Sequence, residues 1–218
     1  MGGWDEMLPT VAMTQLPDGT RLPDHGEAWR VPWAVLHADG RTVSARVRLR
    51  SLPLQLTRAV RVLPDALRLD YQCRTFGHRK VPVLWAAHPL FAAPPHTQVL
   101  LQRRDGAGEY PVRGRSVTIP QGIDDLGGGQ ALKAFVPGTA WAAVRRPSGA
   151  QLELTWDPAL LPWLGVYLDR DVFTREPVIA LEPTTGPGDD AAQVLDRLPT
   201  ASARAPLTWW LELRALAC

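Results

Sequence analysis

Cysteine, lysine and long apolar runs are all scarce in this chain. Among 218 residues the cysteines are Cys73 and Cys218, far apart, with the second at the last position. That usage predicts free thiols in a reducing compartment, most simply the cytoplasm. No apolar stretch is long enough for a transmembrane helix, so no membrane partner is expected. The opening residues Met1-Gly2-Gly3-Trp4-Asp5-Glu6 lack the basic segment and apolar core of a secretory signal. The formal net charge is +2 and the arginines are dispersed, which excludes the basic patch of a nucleic-acid binder. Lys80 and Lys133 are the only lysines, a bias that reads as genome composition rather than function. The 21 prolines exclude long helices.

What is present is period-two alternation. Thr42–Leu49 sets Val43, Ala45, Val47 and Leu49 against Thr42, Ser44, Arg46 and Arg48. Leu67–Arg74 repeats the pattern with Leu67, Leu69, Tyr71 and Cys73. Gln151–Trp156 and Leu207–Leu213 do so again. These segments predict half-buried strands of an antiparallel sheet. Turn signals separate them: Asp18-Gly19, Asp39-Gly40, Asp105-Gly106 and Pro147-Ser148-Gly149. Gly127-Gly128-Gly129 predicts a mobile loop. It lacks the strand-then-helix setting of a phosphate cradle. One short helix is expected over Asp189–Arg197. No internal repeat or dividing linker is found, so residues 1–218 read as one all-β domain, a sandwich of large twisted sheets.

Three residues carry the chemistry. Val83-Leu84-Trp85-Ala86-Ala87-His88-Pro89 reads as a buried strand ending on a histidine. An imidazole there is either a core histidine bonded to a carbonyl or a proton carrier at a cleft rim. Trp85 and the Pro89 stop favour the rim, with Trp85 as its aromatic wall. Pro23-Asp24-His25-Gly26-Glu27 places His25 in a tight turn, where the plain alternative is a surface residue. Ile179-Ala180-Leu181-Glu182 places Glu182 at the end of an apolar run, as a strand cap or as a base. His37, His78 and His96 read as surface residues. Two histidines and one glutamate also suit a metal, but no His-x-His or His-x-x-x-His pair occurs, and proton transfer is the stronger reading. No Gly-x-Ser-x-Gly elbow is present for serine hydrolysis. Nine tryptophans, some beside the candidate residues, suit the apolar faces of sugar rings.

Taken in order, these segments resemble the aldose 1-epimerase (galactose mutarotase-like) family. Gly2-Gly3-Trp4-Asp5-Glu6-Met7-Leu8-Pro9-Thr10 is similar to the segment entering that family's site. Pro23-Asp24-His25-Gly26-Glu27 is similar to its first histidine turn. Trp85-Ala86-Ala87-His88-Pro89-Leu90-Phe91 resembles the strand of its catalytic acid, and Leu181-Glu182-Pro183 that of its catalytic base. The resemblance implies a β-supersandwich of large antiparallel sheets, N-terminally shortened. It implies an isomerase that needs no cofactor and no metal and interconverts the α and β anomers of a hexose or related sugar. In that scheme Glu182 takes the anomeric proton, His88 protonates the ring oxygen, and His25 helps place the sugar. Trp85 and one aspartate bind substrate. The aspartate candidates are Asp124, Asp125 and Asp169, with Asp169 retained.

The chain departs from the family in two respects. It begins at the Gly-Gly-Trp-Asp motif, so the family's opening strands and their sugar-contacting arginine have no match. The expectation is an exposed sheet edge or a homodimer that covers it. The sugar-binding aspartate has no firm counterpart either. The rival readings are a non-catalytic carbohydrate-binding protein of the same fold and a metal-dependent β-sandwich enzyme.

Overall fold

The structure is a computed structural model that describes residues 3–101, 109–112 and 115–217. Gly2, the expected Asp105-Gly106 turn and Cys218 lie outside the described residues. Two antiparallel sheets face each other. The larger has eight strands in the order Gln98–Leu101, Trp141–Arg145, Gln151–Trp156, Leu207–Leu216, Leu67–Thr75, Leu54–Val62, Thr42–Arg48 and Ala34–Ala38. The smaller has five, in the order Gly3–Met7, Ala86–Ala92, Val178–Thr184, Trp163–Arg170 and Gln130–Pro137. No helix among the described residues is long and apolar enough to cross a membrane.

The alternating segments fold as their patterns predict. Leu69, Tyr71 and Cys73 are buried on one strand, and Leu154 and Trp156 on another. Trp209 and Leu211 are buried on the C-terminal strand. From the smaller sheet Leu164, Val166, Leu168, Ile179 and Leu181 meet them in the same core. Each such side chain contributes about 1.5–3 kcal/mol through removal from water. Thr42–Arg48 is the partial exception: Val47 is buried, but Val43 is exposed near the sheet's edge. The turn signals at Asp18-Gly19 and Pro147-Ser148-Gly149 hold, with Gly19 and Gly149 at φ 89°, a conformation that glycine adopts freely.

Three expectations need correction. Asp189–Arg197 is two 3₁₀ turns, Ala191–Gln193 and Leu195–Arg197, rather than a helix. The Asp190 carboxylate caps the first by accepting from Ala192 N at 2.9 Å. Val194, at φ −125°, then breaks the run. Gly127-Gly128-Gly129 is a tight turn into the Gln130–Pro137 strand, pinned by Gly129 N donating to Arg170 O at 2.8 Å. The strand expected to start at Val83 and end at His88 is instead Ala86–Ala92, so His88 and Pro89 sit inside it.

A buried polar cluster ties the two sheets. Glu6 of the small sheet accepts from Arg58 Nη1 at 2.7 Å and Tyr71 Oη at 2.8 Å, both on the large sheet. Its second oxygen accepts from Trp85 Nε1 at 2.9 Å. Burial pushes the Glu6 carboxyl up from its ordinary value, against the opposing pull of Arg58 and the two other donors. The strand alternates, so burying Glu6 inward turns its neighbour Asp5 to the outer face.

Candidate functional site

The site occupies the outer face of the small sheet, where one row of residues crosses adjacent strands. Asp5 pairs with His88. Ala180 pairs with Leu90 and Thr184 with Ala86, one continuous register that sets Glu182 opposite His88. Gly165 pairs with Glu182 on the other side. Pro89 and Pro183 lie beside this row, and neither can donate a ladder hydrogen bond. Gly165 leaves room for the base: a Cβ there would stand 3.2 Å from Glu182 Cβ and 3.3 Å from its Oε2. Two residues along the strands, Lys133 pairs with Tyr167, so both share that outer face.

His25 arrives from a loop. His25 N donates to Val11 O at 2.7 Å, and Gly26 N to Pro23 O at 3.0 Å. His25 and Gly26 both adopt left-handed backbone, at φ 56° and 65°. A Cβ on Gly26 would fall 2.3 Å from Leu8 O, so only glycine fits. The strained His25 is thereby held over the sheet. Glu27 is a structural residue here, accepting from Arg50 N at 2.7 Å and Ser51 N at 3.2 Å.

The titratable groups form one line. His25 Nδ1 lies 3.4 Å from Asp5 Oδ2. The His25 and His88 ring centroids are 5.1 Å apart. His88 Nε2 lies 3.5 Å from Glu182 Oε1. Lys133 Nζ lies 2.7 Å from Glu182 Oε2 and 2.7 Å from Asp189 Oδ1. His88 is 7% exposed and Glu182 1% exposed. Burial drives the His88 pKa below its ordinary value, and the charge of Lys133 adds to that against the pull of Glu182. Burial alone would lower the Lys133 pKa, but the Glu182 and Asp189 carboxylates outweigh it and hold the amine above its ordinary value. Two buried atoms, His88 Nδ1 and Glu182 Oε1, have no hydrogen-bond partner. A buried polar atom without a partner costs about 1–3 kcal/mol. A bound group that supplied one would recover that.

A cleft of about 320 Å³ opens over this line, walled by His25, His88, Lys133, Tyr167, Phe173 and Asp189. The structure places His25 and His88 in the wall of this cleft and sets Glu182, which does not line it, against His88. It does not bring Trp85 to the cleft. Trp85 is fully buried in the core, 4.9 Å from both Tyr71 and Trp209 and bonded to Glu6. It precedes the Ala86–Ala92 strand and faces the opposite sheet. The aromatic wall belongs to Tyr167 and Phe173 instead. Asp169 is also placed otherwise. It is fully buried, and both its oxygens are engaged, by Val172 N at 2.8 Å, Phe173 N at 2.9 Å and Tyr167 Oη at 2.9 Å. Its work is to brace the loop that carries Phe173. Burial and Asp169 push the Tyr167 hydroxyl well above its ordinary value, which keeps it a neutral donor.

Lys133, Asp189 and Tyr167 were missed in the sequence. Lys133 had one available signal, a lysine in a chain that otherwise uses arginine, on an alternating strand. Among the described residues, Asp5, His25 and His88 are the group that could hold a metal ion, with ligand atoms within 4.8 Å of one another. A two-histidine, one-carboxylate set suits iron or zinc chemically.

This architecture is a galactose mutarotase-like β-sandwich, and solved structures share it along nearly the whole chain. The Slr1438 protein of Synechocystis sp. PCC 6803 superposes with a TM-score of 0.80 at 15% identity, over 100% of this chain and 79% of that one. A galactose mutarotase-like protein of Lactobacillus casei gives 0.77 at 16% identity, over 98% and 85%. An Escherichia coli protein provisionally named an aldose 1-epimerase gives 0.75 at 15% identity, over 99% and 84%. At these identities the likeness is one of fold. No family model matches the chain, and no curated protein matches it.

Proposed function

We propose that this protein is a carbohydrate-active isomerase that interconverts sugar anomers by acid/base ring opening, with residues 1–218 acting as one unit. The observation that carries the reading is the buried pair His88–Glu182. Its facing atoms are 3.5 Å apart, Glu182 Oε1 has no other partner, and His88 lines the cleft while Glu182 lies buried against it. The mutarotase-like names of the structural neighbours support the same class of substrate.

Glu182 Oε1 takes the proton of the anomeric hydroxyl. That oxygen's electron pair forms the C1 carbonyl as the C1–ring oxygen bond breaks. The ring oxygen receives those electrons and the proton of His88 Nε2. Rotation about C1–C2 and the reverse sequence give the other anomer, with both side chains restored. Lys133 Nζ, 2.7 Å from Glu182 Oε2, holds the carboxylate in position. The lowered pKa of His88 makes its imidazolium a stronger acid and confines its supply to more acidic pH. His25, hydrogen-bonded to Asp5, orients the ring oxygen.

Polarimetry on freshly dissolved α-glucose and α-galactose tests the reading: rotation relaxes faster with protein than in buffer, and EDTA leaves the rate unchanged. A second reading is favoured by the Asp5–His25–His88 cluster. Activity lost on chelation, with stoichiometric zinc or iron by elemental analysis, would establish a metal enzyme. Sugar binding with buffer-rate relaxation would leave a carbohydrate-binding module.

A further inference from the structure

The cleft over His88 continues into further space. A second cavity of about 1020 Å³ adjoins it, and Ala12, Lys133, Tyr167, Phe173 and Asp189 line both. Ligand pockets for small molecules run about 300–1,000 Å³. One sugar ring over the acid/base pair therefore leaves a pocket-sized space beside it.

That space has the character of a saccharide subsite. Phe173 is 79% exposed and Met13 75% exposed, and both border it. Exposed apolar side chains of this size are normally tolerated singly on mobile surface, but Phe173 is braced. The fully buried Asp169 accepts from Phe173 N and Val172 N, and Asp171 holds a left-handed φ of 70° at the bend. A flat apolar face is thus held out at the junction of two cavities. Asp190 and Gln193, bonded to each other at 2.9 Å, add polar groups to the lining of the second cavity. Charge narrows the ligand further. Among the described residues that line the second cavity, Lys133 is the only cation, and its amine is taken by Glu182 and Asp189. No cation is left there for a phosphate.

We infer that the substrate is the reducing end of a neutral oligosaccharide: its terminal ring sits over His88 and Glu182, and the next ring lies in the adjoining cavity against Phe173. This rests on the acid/base reading for the first ring.

The test compares glucose, galactose, maltose, cellobiose, lactose and glucose 6-phosphate on two readouts. One is anomer exchange by magnetisation-transfer NMR; the other is binding by ligand-observed NMR, which needs no turnover. The variant Ala131→Trp, at an exposed position of the Gln130–Pro137 strand lining the second cavity alone, fills the subsite. At least one reducing disaccharide should bind and exchange about tenfold better than the monosaccharides, the scale of one added apolar contact. Ala131→Trp should lower that disaccharide-to-monosaccharide ratio about tenfold. Monosaccharides handled as well as every disaccharide, or glucose 6-phosphate preferred, would overturn the subsite and leave the acid/base reading standing. Tighter disaccharide binding that Ala131→Trp abolishes, without exchange of any sugar, would keep the subsite and overturn the enzyme. A ratio unmoved by Ala131→Trp would overturn the subsite.

Discussion

Replacing Lys133 with methionine isolates the electrostatic arrangement on which the site depends. The substitution keeps the chain length of the side chain and removes its charge. Lys133 Nζ stands 2.7 Å from an oxygen of Glu182, whose side chain is 1% exposed, and 2.7 Å from one of Asp189, whose side chain is 26% exposed. Removing one partner of a buried ion pair costs about 3–5 kcal/mol, because the other charge stays buried. The Asp189 contact is partly solvated and adds little to that. At about 2–4 °C per kcal/mol for a chain of this size, the melting temperature should fall by roughly 6–20 °C at pH 7. The sign with pH follows from the same groups. The folded-state pKa of Lys133 is raised, so its stabilisation is present below the ordinary lysine value of 10.5 and lost as pH climbs through the raised value. Calorimetry at pH 7 and above pH 10.5, with Lys133→Met in wild-type and Glu182→Gln backgrounds, reads both effects. The Glu182→Gln background should recover most of the loss. A Lys133→Met protein within about 1 kcal/mol of wild type at pH 7, or an equal loss in both backgrounds, would refute the reasoning.

Other perturbations follow from the same geometry. Arg58→Met leaves Glu6 buried with only Tyr71 and Trp85 as donors, and should cost about 3–5 kcal/mol in urea denaturation; a loss under 1 kcal/mol would mean that the pair does not tie the sheets. Gly26→Ala meets Leu8 O at 2.3 Å and adds about 1–2 kcal/mol of left-handed backbone strain, so it should destabilise by more than 2 kcal/mol and displace His25; unchanged stability by thermal melting would contradict this. His88 should titrate below its ordinary 6.5 by NMR of its ring protons, so the alkaline limb of kcat/KM should lie below that pH, since the acid form is lost as pH rises. A titration above 6.5 would reverse the assigned balance of burial and charge.

The strands of the core were legible because alternation is a local property, and Leu69-Tyr71-Cys73 and Trp209-Leu211 bury the face their pattern presents. His25, His88 and Glu182 were legible as a set, yet the reason given for His88 was incorrect. Pro89 reads as a strand stop, whereas Pro89 and Pro183 both sit within paired strands beside the row that joins His88 to Glu182. Trp85 was misplaced because sequence proximity to His88 does not specify a face, and the indole lies on the core side with Glu6. Asp169 alternates onto the outer face, but its oxygens are turned into the 172–173 backbone, a choice that only the loop's path reveals. Lys133 and Asp189 were missed for a different reason. Their partner Glu182 is remote in sequence, and the rarity of lysine marks Lys133 without saying what it pairs with.

The central claim is that His88 and Glu182 exchange protons with a sugar's anomeric centre. Magnetisation-transfer NMR between the α and β anomers of glucose, galactose and the reducing disaccharides measures that directly, for wild type and for His88→Ala and Glu182→Ala. The account predicts exchange well above the buffer rate in wild type for at least one of these sugars, and a loss of roughly a hundredfold or more in each variant, the scale of a positioned acid or base. Wild-type exchange at the buffer rate for every sugar, or variants that exchange as fast as wild type, would contradict it.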